Sequence, residues 1–221
     1  ISNEAFSYMA AGEISVCGGI PARLFRISFS GELAYEIAVP TRYGDSLMRV
    51  LMEAGEEFDV IPYGTEALGV MRIEKGHAAG PELNGQTSAY DLGMGGMVSG
   101  KKDFIGYTLG LREDLQRDDR MQMVGFKPVN TNDLIDKGHS LAGAHLLGLR
   151  DEASTENDQG WISSSVYSPI LGCYIGLGFI KGGHSRKGES VRAVDLVRGS
   201  DVEVEICSQH FFDPEGERLR V

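Results

Sequence analysis

Residues 23–39 read RLFRISFSGELAYEIAV, and this stretch sets the fold of the first half of the chain. Polar and apolar side chains alternate over 23–29 and again over 34–39, with Ser30-Gly31-Glu32 between the two runs. Two alternating runs joined by a short turn that contains glycine are typical of a β-hairpin. The stretch therefore predicts an antiparallel pair of strands, with Glu32 and Glu36 near the turn.

Helical spacing follows the hairpin. From Thr41 onward the apolar side chains fall on one helical stripe that stops at Gly55, and the stripe consists of Tyr43, Leu47, Val50, Leu51 and Ala54. The short apolar run 58–61 is predicted to be a strand, and Thr65 can cap a second helix that ends at Gly76. This order of elements predicts an α+β fold in which helices cover one face of a mainly antiparallel sheet.

The composition then changes twice. Residues 76–106 are rich in glycine and predict a folded loop region, and 104–115 predict a short helix. The charged run 112–120 predicts a domain boundary, because a solvated charge run has little reason to lie inside a core. We therefore predict one domain over 1–115 and a second over 116–221.

The second domain is predicted to be all β. Strand-like runs separated by Gly, Pro, Asn and Asp occupy 121–126, 140–149, 160–166, 174–180, 191–197 and 202–207. With no long helical pattern among them, they indicate a small barrel or sandwich.

Composition excludes several classes of function. The chain has 221 residues and a formal net charge of −11, and its basic residues form no stripe, so nucleic acid is not an expected partner. No apolar run approaches the roughly 18 residues of a membrane span, which predicts no membrane association. Cys17, Cys173 and Cys207 lack any C-x-x-C pairing and predict free thiols in a reducing, cytoplasmic setting.

Local catalytic and metal motifs are also missing. The histidines, among them His139, show no zinc-ligand spacing, so no metal is expected. Val70 stands where a phosphate-binding loop needs lysine, and the glycines of 93–96 do not complete a dinucleotide fingerprint. No serine lies in a nucleophile elbow.

Three segments in order resemble the aminomethyltransferases, the T-protein family of the glycine cleavage system. The run SGELAYEI at 30–37 is similar to the family's T-G-E-x-G-x-E-I, and RIEKG at 72–76 is similar to R-L-E-A-G. Residues 160–180, GWISSSVYSPILGCYIGLGFI, resemble G-x-V-T-S-G-x-x-S-P-x-L and the strand that follows it in the C-terminal β-domain of the family. The resemblance covers most of the chain and implies a folate-binding α+β domain, incomplete here, followed by a small β-barrel.

Within this family the α subunits of heterotetrameric sarcosine oxidases are the more similar branch. Their C-terminal, T-protein-like part resembles the runs PYGTEALGVMRIEKGH at 62–77, KKDFIG at 101–106 and FDPEGERL at 212–219. The resemblance implies a tetrahydrofolate site that receives a one-carbon unit from a donor, together with further sarcosine oxidase subunits as partners. Flavin and NAD are expected only elsewhere in such an enzyme.

The resemblance assigns two cofactor-binding residues. Glu36 matches the glutamate that binds the pterin ring of folate, and an ionised carboxylate can accept two hydrogen bonds from adjacent pterin N–H donors. Arg72 matches the family arginine, and the sequence leaves open whether it contacts folate or forms a structural ion pair with Glu74 or another carboxylate.

The chain also departs from the family pattern. Leu68 stands where the family has another folate-contacting arginine, and the family's catalytic aspartate belongs to a part of the fold before Ile1, so we assign no catalytic residue and expect a fragment. Two alternatives stay open. In the first, the chain is part of a stand-alone T-protein or a related folate-dependent demethylase. In the second, it is a degenerate, non-catalytic structural module.

Overall fold

The computed structural model describes residues 1–134 and 140–220, so His139 lies outside the described residues. The chain divides into two compact units, Ile1–Arg72 with Asp213–Val221 and Ile73–Phe212. The sequence-based division at residue 115 stays a prediction.

A three-stranded antiparallel sheet forms the first unit, with strands β1 (Ala11–Val16), β2 (Ile20–Phe25) and β3 (Glu36–Ala38) in that order. Strand β2 pairs with β3 in the register Arg23↔Ala38 and Phe25↔Glu36, which confirms the predicted hairpin. The strands are shorter than the alternation suggested, because residues 26–35 leave the sheet as a loop.

The prediction missed strand β1. Its side chains alternate between exposed and half-buried, and it pairs with β2 along its whole length. The connection is Cys17-Gly18-Gly19, whose φ angles are all positive. This short turn with two glycines after an alternating run was a usable hairpin signal.

Both predicted helices are present, as α1 (Gly44–Gly55) and α2 (Thr65–Lys75). On α1, Leu47 is buried, whereas Val50 and Leu51 of the predicted stripe are each 44% exposed. The three-stranded sheet is too small to cover the whole stripe. Over residues 1–72, all of them described, the buried apolar side chains are Ala22, Leu24 and Leu47.

The strand predicted over 58–61 is wrong. A 3-10 turn, Glu56–Phe58, follows α1, and Asp59 has a left-handed φ of 54° that turns the chain away from any neighbouring strand. Helix α1 ends at Gly55 as predicted, but Gly55 is not left-handed. Glycine is required there because an added Cβ would lie 2.7 Å from Val60 Cβ.

The second unit is built around a closed six-stranded barrel, which confirms the barrel alternative for the predicted β-domain. Its strands are β4 (Met121–Pro128), β5 (His145–Leu147), β6 (Gly160–Ser168), β7 (Cys173–Lys181), β8 (Ser190–Asp195) and β9 (Ser200–Cys207). Their order is β4-β7-β6-β5-β8-β9, and β9 pairs with β4 to close the barrel. The strand predicted over 140–149 shrinks to β5, and the helix predicted over 104–115 to α3 (Tyr107–Gly110) and a 3-10 turn.

The barrel is a packed core. Its interior is filled by apolar side chains from all six strands, including Val124, Phe126, Leu146, Ile162, Ile180, Val191, Val204 and Ile206, each at most 1% exposed. Where β6 pairs with β7, a Cβ on Gly178 would lie 2.3 Å from the Trp161 carbonyl oxygen. Glycine at this position lets the two strands approach closely, as close packing requires.

A buried ion pair ties the charged run to the glycine-rich region. Asp91 is 2% exposed, and Arg120 Nη2 donates to its Oδ2 at 2.8 Å while Nε donates to Oδ1 at 2.9 Å. Arg120 also donates to the Gln86 carbonyl oxygen at 3.0 Å. Burial by itself raises the pKa of Asp91, but hydrogen bonds from Arg120 and Ser88 outweigh it and hold the pKa below its usual range.

We expect Arg120→Met to destabilise the fold by about 3 kcal/mol, because it leaves the Asp91 carboxylate buried without its cation. The folded-state pKa of Asp91 is lowered, so its contribution is present above the unfolded value of about 3.9 and is lost as the pH falls through the folded value. The difference between wild type and Arg120→Met should therefore shrink as the pH is lowered from 7 toward about 3.

Chemical denaturation at several pH values measures this difference. Arg117→Met is the matched control, because Arg117 pairs with Asp119 at the surface and exposed ion pairs contribute about 0 to 1 kcal/mol. Equal losses in the two variants, or a loss in Arg120→Met that does not change with pH, would contradict the role given to the buried pair.

Candidate functional site

Glu36 opens strand β3 and is exposed. Its backbone position is fixed by pairing with Phe25. Among residues 1–134 and 140–220, no side-chain hydrogen bond or ion pair involves the Glu36 carboxylate. Both of its oxygens are therefore free to accept hydrogen bonds from a ligand.

The loop before Glu36 is closed at its base by two neighbouring side chains. Arg26 follows β2, is 1% exposed, and donates from Nη1 to the Phe6 carbonyl oxygen at 2.8 Å. Its guanidinium lies 5.9 Å from the ring centroid of Tyr35, the residue directly before Glu36. A cation–π contact of this kind contributes about 0.5 to 2 kcal/mol, so it helps to hold the start of β3.

The other carboxylate of the hairpin has a different environment. Arg218 Nη1 donates to Glu32 Oε1 at 2.9 Å, and the two side chains are 53% and 44% exposed. Glu32 is thus already paired at the surface, whereas Glu36 is not. The geometry distinguishes the two glutamates that flank the predicted turn.

A cleft of about 690 Å³ lies on the same sheet. It is lined by β1 and β2 residues that include Glu13 and Arg23, by Ala38 at the end of β3, and by the two residues that follow it. Glu36 does not line this cleft, although Ala38 on the same strand does. The predicted site residue therefore lies beside the cleft and outside its walls.

The end of helix α2 is buried on every side. Residues 65–67 are exposed, whereas Arg72, Glu74 and Lys75 are 9%, 4% and 6% exposed. Arg72 and Glu74 are two positions apart and do not face each other on a helix. The Glu74 carboxylate is held by Ser168.

Ser168 Oγ donates to Glu74 Oε1 at 2.5 Å, and its side chain is fully buried. The same hydroxyl oxygen accepts a hydrogen bond from the Leu171 amide at 3.1 Å. This contact joins two of the three segments that carry the family resemblance, the one at 72–76 and the one at 160–180. Sequence alone did not indicate that they meet.

Glu82 forms a second buried carboxylate site, which the sequence analysis missed. It is 0% exposed, and its Oε1 accepts from Ser163 Oγ at 2.5 Å and from Ser164 Oγ at 2.7 Å. A break in the β6–β7 register between Ile162 and Ser164 allows two successive serines to reach one carboxylate. The run of serines in 163–165 was the signal in the sequence.

Neither a reactive cysteine nor a metal cluster stands out in the part of the chain that the structure describes. Burial raises the pKa of the Cys207 thiol to about 12, so Cys207 is a neutral thiol at physiological pH. Across residues 1–134 and 140–220, no three His, Cys, Asp or Glu side chains are grouped as metal ligands. In the same described ranges no helix has both the length and the apolar character that a bilayer crossing demands.

We expect Ser168→Ala to destabilise the fold by about 1 to 3 kcal/mol, because the buried Glu74 carboxylate loses a donor. Ser165→Ala is the matched control on the same strand: Ser165 Oγ is buried without a hydrogen-bond partner, so its removal should be neutral or slightly stabilising. Urea denaturation of both variants measures the difference. Equal stability of the two would mean that the Ser168–Glu74 contact contributes nothing.

Two family models match the chain. The GCVT N-terminal domain matches residues 1–102, and the glycine cleavage T-protein C-terminal barrel domain matches residues 122–213. Together they account for most of the sequence, and the second covers the barrel described above.

Curated relatives carry the names of two kinds of enzyme. The sarcosine oxidase subunit alpha of Rhizobium meliloti (strain 1021) is 45% identical over 100% of this chain, and that of Corynebacterium sp. (strain P-1) is 41% identical over 99%. The chain spans 22% of the length of each. The aminomethyltransferase of Chloroherpeton thalassium is 28% identical over 77% of this chain, which covers 44% of that relative.

A solved structure has the same fold. The glycine cleavage system aminomethyltransferase T from Bartonella henselae matches 97% of this chain and is covered to 55%, with a TM-score of 0.75 and 22% sequence identity. The family models, the relatives and this fold agree: the chain belongs to the glycine cleavage T-protein family and is similar to the T-protein-like region of sarcosine oxidase α subunits.

Proposed function

We propose that this chain forms the tetrahydrofolate-binding part of a sarcosine oxidase α subunit. In this role it accepts the one-carbon unit released when a flavin, bound elsewhere in the enzyme, oxidises sarcosine. With dioxygen as the acceptor of the two electrons and tetrahydrofolate as the acceptor of the one-carbon unit, the products are glycine, hydrogen peroxide and 5,10-methylenetetrahydrofolate. The relatives support this choice over a stand-alone T-protein, since identity to the sarcosine oxidase subunits is 41–45% over essentially the whole chain and 28% to the aminomethyltransferase.

The observation that carries the proposal is the unpaired carboxylate of Glu36. A pterin presents adjacent N–H donors on its ring edge, and an ionised carboxylate accepts two of them in a charge-assisted pair. Glu36 is exposed, has no described partner, and stands at a backbone position fixed by strand pairing. These properties fit a residue whose partner is a ligand.

When bound, tetrahydrofolate would supply the N5 and N10 amines that capture the one-carbon unit. The residues of this chain bind and orient it: Glu36 accepts the pterin hydrogen bonds, and the Arg26–Tyr35 contact holds the start of β3 so that the carboxylate is in place before binding. Preorganisation of this kind reduces the ordering cost of binding.

We give Arg72 a positioning role in this site. Arg72 is on the buried end of α2 and is 9% exposed, which leaves little of its surface for a ligand. Leu68, four positions earlier on the helix, is half-buried and apolar, so the folate-contacting arginine of the family pattern has no replacement at this position.

Glu36→Gln tests the folate contact in the full-length enzyme with its partner subunits. The change keeps the size of the side chain but turns one acceptor into a donor that faces a pterin donor. A charge-assisted hydrogen bond contributes about 1.5 to 3 kcal/mol and an unpaired donor costs a similar amount, so tetrahydrofolate affinity should fall about tenfold to a thousandfold. Calorimetric titration measures this.

Glu32→Gln is the control, because Glu32 is already paired with Arg218 at the surface. Its folate affinity should equal that of the wild type. In Glu36→Gln, oxidation of sarcosine with peroxide formation should persist while the one-carbon unit leaves as formaldehyde. Unchanged folate affinity in Glu36→Gln, or an equal loss in both variants, would remove the basis of the proposal and favour a structural module.

A further inference from the structure

Part of the charged run 112–120, which the sequence predicts to be a domain boundary, forms one wall of a cleft of about 320 Å³ on the outside of the barrel. The facing wall comes from the turn 84–87, and the floor is Met121, Trp161, Phe179 and Lys181. We call this site the Trp161 cleft. Its volume lies at the small end of the range of ligand pockets, about 300 to 1,000 Å³.

Strand pairing explains the floor. Trp161 on β6 is the register partner of Phe179 on β7, and Met121 on β4 is the register partner of Lys181. Phe179 and Lys181 are two residues apart on one strand, so all four side chains project from the same face of the sheet. This face is opposite to the barrel interior, where Ile180 is packed.

The floor is aromatic and half open. The Trp161 and Phe179 ring centroids lie 5.4 Å apart with an interplanar angle of 32°. Phe179 is fully buried beneath, whereas Trp161 is partly exposed. Such a surface suits the face of a planar ring, since offset aromatic contacts add about 0.5 to 1.5 kcal/mol beyond the area they bury.

Two groups of the floor can still donate a hydrogen bond to a ligand. Within the described ranges, the Trp161 indole N–H donates to no protein group, and no carboxylate lies within ion-pair distance of the Lys181 ammonium, which donates to the Asp158 carbonyl oxygen at 3.1 Å. The arginines of the wall differ: Arg120 is held by Asp91, and Arg117 is held by Asp119 at 2.6 Å. The cation available to a ligand is therefore Lys181.

We propose that the Trp161 cleft is a second binding site, which takes a planar aromatic carboxylate. The ring lies on Trp161 and Met121, and the carboxylate accepts hydrogen bonds from Lys181 and from the indole N–H. The walls are fixed in advance, because the Arg120 guanidinium bridges the charged run and the Gln86 carbonyl oxygen at 3.0 Å. In a chain with a net charge of −11, the Lys181 ammonium is the local attraction for an anion, since the Asp114 and Asp119 carboxylates that also line the cleft are paired with Arg117.

The test uses 2-naphthoate as the probe and its neutral amide, 2-naphthamide, as the comparison, with affinities measured by saturation-transfer NMR and calorimetry on the purified protein. We expect naphthoate to bind more tightly than naphthamide. Lys181→Met should lower naphthoate affinity about two- to fivefold, the range for an exposed ion pair, and leave naphthamide affinity unchanged. Lys101→Met, which removes an exposed lysine outside the cleft lining, should change neither.

Trp161→Phe provides an independent arm, because it keeps an aromatic floor but removes the indole donor. It should weaken naphthoate more than naphthamide. Equal affinity for the two probes, no binding of naphthoate, or the same naphthoate affinity in Lys181→Met and wild type would overturn the proposal. Glu36→Gln should leave naphthoate binding intact, which separates the outcome for this cleft from the outcome for the folate site.

Discussion

Two buried carboxylates bound to the serines of a single strand hold the second unit together. Glu74, at the end of α2, accepts a hydrogen bond from Ser168, and Glu82 accepts from Ser163 and Ser164. A buried carboxylate is costly unless its oxygens are hydrogen-bonded. Strand β6 thus provides the donors that allow the chain between α2 and the barrel to be buried at all.

The segment that follows β9 depends on this anchoring. The amides of Phe211 and Phe212 both donate to the Glu74 carbonyl oxygen at 3.0 Å, and Gln209 Nε2 donates to the Leu92 carbonyl oxygen at 3.1 Å. At Gly76 a Cβ would lie 2.3 Å from the Gln209 carbonyl oxygen. The glycine that ends the helix has two roles here, since its left-handed φ of 77° stops α2 and its missing side chain admits the returning chain.

The candidate folate residue and the lysine of the Trp161 cleft have one property in common. Several charged side chains are paired with one another: Arg120 with Asp91, Arg192 with Asp201, Arg218 with Glu32. Glu36 and Lys181 have no charged partner in the described ranges, and each stands on a strand whose backbone is fixed. An unpaired charge on a rigid element is preorganised for a ligand, because neither an internal ion pair nor a mobile loop has to be rearranged on binding.

The amino-acid sequence by itself determined the hairpin, the two longer helices, the β-domain and the family, whereas the choice of a closed barrel over a sandwich came from the tertiary structure. Each of these follows from local periodicity or from motifs that are contiguous in the chain, such as the alternation in 23–39 and the serine-rich run in 160–168. The sequence also singled out Glu36 through its motif. It did not indicate that Glu32 pairs with Arg218, a residue far away along the chain.

The tertiary structure alone decided which distant residues meet. Ser168 and Glu74 are separated by 94 positions, Ser163 and Glu82 by 81, and no local pattern encodes such pairings. It also decided that 58–61 is not a strand, because a strand needs a neighbour and none is offered there. Periodicity reports which side of an element is apolar, whereas burial and hydrogen bonding depend on what the folded chain brings against it.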